Sequence, residues 1–100
     1  MKATLGEIVY SKAGRDSSKQ FVVVGIIDEA NILISDGNYR RIEKAKKKKK
    51  KHLEFTGVII ESIKDKVENK LKITNAEIRK ALHFHQRQLQ DFKEEQNLTE

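Results

Sequence analysis

The sequence predicts a mainly β protein with α structure at its C-terminal end: a small five-stranded barrel over residues 1–56, then two amphipathic helices over residues 57–100. Three observations carry that expectation. Short runs of β-branched and aromatic residues, broken by Gly, Asp, Asn and Ser, continue from Gly6 to about Phe55. After Thr56-Gly57 the apolar period lengthens to that of a helix. Between Arg40 and His52 the chain places nine basic side chains and one acidic, a local charge of +8 in a chain whose total is +6. No small core accepts that charge.

Gly6 to Ser11 reads as the first strand, and Ala13 to Ser18 as a polar turn. Phe21 to Ile27 is a nearly continuous apolar run, rich in Val and Ile and too short for a buried helix, so it is expected as a buried central strand. Gly25 inside it suggests a bend or bulge. Asp28-Glu29-Ala30-Asn31 breaks the run, and Ile32-Leu33-Ile34 is the third strand. Asp36-Gly37 is a hairpin signal, because type I′ turns need positive φ at both central residues. Tyr39 to Ile42 would return as the fourth strand and His52 to Phe55 would be the fifth. Five short strands in some fifty residues cannot bury both faces as an open sheet, so closure into a barrel is expected. Strand residues alternate faces, so lysines 46–50 are expected as a loop or an exposed edge between the last two strands.

Ile59, Ile63, Val67 and Leu71 then recur every four residues, the stripe of an amphipathic helix ending near Asn69 and Lys70. Thr74-Asn75-Ala76-Glu77 reads as a capping box that opens a second helix. Its stripe is Ile78, Leu82, His85, Leu89 and Phe92, expected to pack on the first helix, the barrel or another chain. The segment after Glu94 is polar and expected to fray.

Composition excludes several classes. Without cysteine there is no disulfide and no thiolate metal site, which fits a reducing cytosol. No apolar run of signal-peptide length follows Lys2, and the 21–27 run is too short to span a bilayer, so a soluble cytoplasmic protein is expected. His83 and His85 are two apart on a helix and point to different sides, so metal chelation is not expected. No nucleophile, base and orienter constellation and no phosphate-cradling glycine loop is visible; the expectation is no enzyme and no cofactor.

The segment Gly6-Glu7-Ile8-Val9-Tyr10-Ser11-Lys12-Ala13-Gly14-Arg15-Asp16, followed by the Phe21 to Ile27 run and Ile32-Leu33-Ile34, resembles a KOW motif. That motif occurs in several ribosomal proteins and in transcription elongation factors related to them. The resemblance is to short bacterial KOW-domain RNA-binding proteins similar to a eukaryotic and archaeal large-subunit ribosomal protein. That group typically has an aspartate-glycine turn, a basic strand and a lysine run ending in lysine-histidine-leucine. Here these are Asp36-Gly37, Tyr39-Arg40-Arg41-Ile42 and Lys51-His52-Leu53. The resemblance covers roughly residues 5–56 and, more loosely, Lys72 to Leu82. It implies a Src-homology-3-like barrel, with Gly14 in the place of the motif's characteristic glycine. Ser17-Ser18 stands where a second glycine is common.

The charge excess points to a polyanion, nucleic acid before membrane. Its alternatives are a solvated loop or a targeting signal. Lys44 and Lys46, Lys47, Lys48, Lys49, Lys50 and Lys51 are expected to bind RNA through phosphates, as point charges supplying affinity rather than base readout. Tyr39, Arg40 and Arg41 are candidates for stacking on unpaired bases, Tyr39 being equally readable as a surface aromatic covering a strand. Lys12, Arg15 and Lys19 flank the Gly14 loop and either join this face or are plain surface charge. The expected partner is therefore RNA, ribosomal RNA or the ribosome, and not a membrane, since no helix joins a basic face to inserting aromatics. The alternative is a protein-interaction module, an adaptor in transcription or translation, using the C-terminal helix for a partner or for self-association.

Overall fold

The computed structural model of the chain describes residues 2–12 and 19–85. Five strands form one antiparallel sheet: β1 (Glu7–Ser11), β2 (Gln20–Ile26), β3 (Asn31–Ser35), β4 (Lys46–Lys49) and β5 (Leu53–Ile59). Two helices follow, α1 (Glu61–Glu68) and α2, whose described residues are 75–85. Short 3-10 turns at Ile42–Lys44 and Lys50–His52 flank β4. The spatial order is β4-β3-β2-β1-β5.

Because β2 lies in the middle of the sheet and both faces of that sheet are covered, its apolar run does not alternate with polar residues. Phe21 and Val23 face one core with Ala3, Val9, Ile32, Ile34 and Leu53. Val22 faces a second core with Ile8, Ile60, Ile63, Ile78 and Leu82. The second core is made by the helices, which therefore dock on the sheet. Gly25 sits at the expected irregularity, where the β2–β3 register shifts between Val23 and Gly25. A Cβ there would come within 3.0 Å of the Leu33 Cδ1.

The sheet is open. The barrel closure expected from the sequence is not made, since β4 and β5 end the strand order without pairing. The expectation failed because it counted the strands as self-sufficient. The second face of the sheet is covered by α1 and α2 instead, so closure is not needed to bury it.

The fourth strand also lies elsewhere. Tyr39 to Ile42 is not a strand; the pairing partner of β3 is the lysine run, with Ile34 opposite Lys46 and Asn31 opposite Lys49. Asp36 curls the intervening chain, its Oδ1 accepting the Asn38 and Arg40 N–H groups at 2.9 and 2.7 Å. Ser35 Oγ donates to the Arg40 carbonyl at 2.7 Å, and the Asn75 side-chain oxygen accepts the Ile42 N–H at 2.8 Å. Nor is Asp36-Gly37 a type I′ turn. Gly37 has φ +74°, while the one described non-glycine residue with positive φ is Lys70.

The first helical stripe is shorter than its spacing suggests. Ile63 is buried and Val67 packs against the same core, but Ile59 ends β5 and Leu71, 59% exposed, lies beyond α1. The chain leaves α1 through a left-handed Lys70, φ 56°, with Leu71 N–H on the Lys66 carbonyl at 2.8 Å and Lys70 N–H on Val67 at 3.1 Å. That is the Schellman ending, here with lysine in the position glycine usually takes. The capping box is present: Thr74 N–H donates to Glu77 Oε2 at 2.8 Å and Glu77 N–H to Thr74 Oγ1 at 3.2 Å. Among the described residues no helix is long and apolar enough to cross a membrane.

Candidate nucleic-acid interface

The lysine run is an exposed edge strand and not a loop. A strand of four lysines has poor intrinsic β propensity, so its conformation comes from the ladder with β3. Residues directly opposite in an antiparallel pair share a face. Lys46 and Lys48, opposite Ile34 and Ile32, are half-buried over the first core; Lys47 and Lys49, opposite Leu33 and Asn31, are exposed on the other face. Side chains two apart on one face are about 7 Å apart along the strand.

The backbone continues pinned beyond β4. Lys50 N–H donates to the Ala30 carbonyl at 2.8 Å, and Lys12 N–H donates to the His52 carbonyl at 2.9 Å. The 3-10 turn Lys50–His52 thus ties the start of β3 to the end of β1, curling the sheet without pairing its edges. Among the described residues, the lysines at 47, 48, 49, 50 and 51 form no ion pair with a carboxylate. The Asp28 carboxylate feels the charge of Lys47 but is already engaged. It accepts the Ala30 and Asn31 N–H groups, both at 2.8 Å, and those bonds with the Asn31 side chain hold it below its ordinary pKa. Lys47 contributes least to that shift.

A cleft of about 770 Å³ opens where the chain passes from β4 through this turn into β5. Lys12, Lys49, Lys50 and Lys51 line it together with Leu53 and Phe55, and Glu29, Ala30 and Glu54 complete the wall. Lys12, 37 residues before Lys49 in the chain, thus joins the lysine surface. Phe55, Leu53 and the two glutamates were not singled out from the sequence. The only signal was that Leu53 and Phe55 share one face of a strand directly after the lysines, and its meaning depends on the unpaired edges.

The other expected residues form a separate group. Lys19 Nζ lies 4.0 Å from the centre of the Tyr39 ring and the Arg40 guanidinium carbon 4.9 Å from it. Tyr39 is 54% exposed, so its ring meets both solvent and cations. Arg41 pairs with Glu43 at 3.5 Å on the surface. Glu43 is held below its ordinary pKa first by the Asn75 side-chain amide, which donates to it at 2.8 Å. Lys44 is exposed in the first 3-10 turn. Gly37 is buried against α2, and Arg79 Nη1 donates to its carbonyl at 2.6 Å. Gly14 and Arg15 lie outside the described residues, as do Leu89 and Phe92. Among the described residues no cluster of three or more His, Asp or Glu could hold a metal ion.

No protein-family model matches the chain, and no curated protein matches it.

Proposed function

We propose that this chain is an RNA-binding protein, ribosome-associated or bound to ribosomal RNA, built on an SH3-like sheet of the KOW type. What supports the architecture is the curled five-stranded sheet with a single 3-10 turn leading from β4 into β5. The observation that carries the function is the lysine edge. Its backbone is fixed by bonds to β3 and β1, and its ammonium groups from 47 to 51 form no ion pair with a carboxylate among the described residues. Folding has already fixed the backbone entropy of these residues, so docking orders only their side chains. The spacing along the strand is close to that of successive phosphates in a nucleic-acid strand. Backbone phosphates are captured there, and the Lys19–Tyr39–Arg40 group adds a second contact. Tyr39 stacks on a base only if a cation now over its ring moves aside.

The interaction-module reading draws less support over residues 75–85. Ile78 and Leu82 of the helical stripe are already buried against the sheet.

The test is RNA affinity of the full chain at several salt concentrations, beside a variant with serine at all six positions 46–51. Six phosphate contacts give a log–log salt slope of roughly −4 to −5, at about −0.7 to −0.9 per contact. The serine variant is expected to lose most of the slope and the affinity. Unchanged affinity and slope would exclude this edge as the docking surface.

A further inference from the structure

We propose that the cleft beside the second 3-10 turn takes one unpaired nucleotide of an RNA strand, with its base against Phe55 and its phosphate on Lys50 and Lys51. The proposal rests on the RNA reading and deepens it, from a charged edge that holds any polyanion to a site that selects single strands.

Four observations converge. Leu53 and Phe55 are alternate residues of β5 and share the face that packs on the first core, giving the cleft an apolar floor. Phe55 stands opposite Val9 in the sheet yet stays only half-buried, because β4 does not pair across it. Lys12, Lys50 and Lys51 line the same cleft and add positive charge to that floor. The volume, about 770 Å³, is enough for a base with its sugar and phosphate. An aromatic floor beside cationic walls is the arrangement that holds single-stranded nucleic acid, since every base has a stacking face. A paired base cannot enter, because its faces are stacked and its edges turned inward.

The Glu29 carboxylate refines the choice of base. Glu29 lines the cleft and has neither ion pair nor side-chain hydrogen bond among the described residues, whereas Glu54, between Leu53 and Phe55 in β5, turns to the opposite face. Glu29 repels a phosphate, but it accepts from an exocyclic amino group, as acidic side chains do from cytosine N4. Uracil has no exocyclic amino group. Cytosine is therefore expected to bind ahead of uracil.

The experiment compares binding of the full chain to a short oligocytidine, an oligouridine of equal length and a fully paired RNA duplex, all at one salt concentration. Oligocytidine is expected to bind tightest, and Phe55→Leu to weaken single strands about tenfold while leaving duplex binding unchanged. Photocrosslinking of wild-type protein to a strand carrying 5-iodocytidine, with the adduct located by mass spectrometry, needs no variant to fold; it is expected to mark Phe55. Equal binding of strand and duplex, or adducts elsewhere than the cleft, overturns the cleft and leaves the lysine edge standing. Absence of salt-dependent binding to every RNA overturns both.

Discussion

In the loop between β3 and β4, Gly37 is buried against α2, and a methyl group on it would strike the Asn75 carbonyl oxygen. Ten residues further on, Lys47 stands in solvent without an ion pair among the described residues. The first region is filled: Asn75 bonds Ile42 and Glu43, Arg79 bonds Gly37, and Ile78 is fully buried. The second leaves a strand edge and a cleft uncovered. The difference teaches that stability and docking are carried by different parts of one small sheet. The lysine edge has a structural use as well, because charge on an edge strand deters pairing with another chain. That use is compatible with phosphate binding by the ammonium groups of residues 47 to 51, which form no ion pair among the described residues.

If the division is real, damage to the filled junction lowers stability without changing the salt slope of RNA binding. The largest effect is expected from Ile78→Ala, which removes a fully buried side chain from the second core and costs about 3 kcal/mol, read by urea unfolding. Equal loss of RNA binding in the still-folded fraction would break the separation. Gly37→Ala follows at about 2–3 kcal/mol, from a positive φ and the collision with Asn75.

Smaller and sharper is the start of α2. Thr74→Ala removes the oxygen that caps Glu77 N–H and is expected to cost about 1 kcal/mol. Glu77 is held below its ordinary value of 4.5, first by Lys66 and then by the Thr74 N–H. Its depressed folded value means that its contribution is complete above the unfolded pKa and fades as pH falls through the folded one. Between about pH 6 and about pH 3 the wild-type urea midpoint should therefore fall more steeply than that of Glu77→Gln. Parallel curves would show that the Lys66–Glu77 pair does not couple folding to protonation.

Much of the filled region was legible in the residues. The apolar run from Phe21 reports a strand covered on both faces over Phe21 to Val23, although its end is not buried as expected, Ile26 and Ile27 being about half exposed; Thr74 with Glu77 reports a cap through local chemistry alone. Ile63, Val67, Ile78 and Leu82 report the helical faces by spacing. The fourth strand was misplaced because local rules favour Tyr39 to Ile42, whereas the observed strand depends on pairing with the apolar β3. Asp36 and Asn75 decide the matter by holding the Arg40 and Ile42 N–H groups away from any ladder. That the lysines lie at an edge was legible, but not that a ladder would form there and leave Lys46 and Lys48 half-buried over the first core, with Lys47 and Lys49 exposed. The cleft was not, because it exists only where the two edges of the sheet, β4 and β5, consecutive in the chain, approach without pairing.

The most direct measurement is an RNA titration of the ¹⁵N-labelled full chain followed by amide chemical shifts. Changes are expected along residues 46–55 and at Lys12, with Gly37 and residues 74–82 unmoved. Changes clustered on α2 with the lysine edge silent would contradict the assignment of docking to that edge.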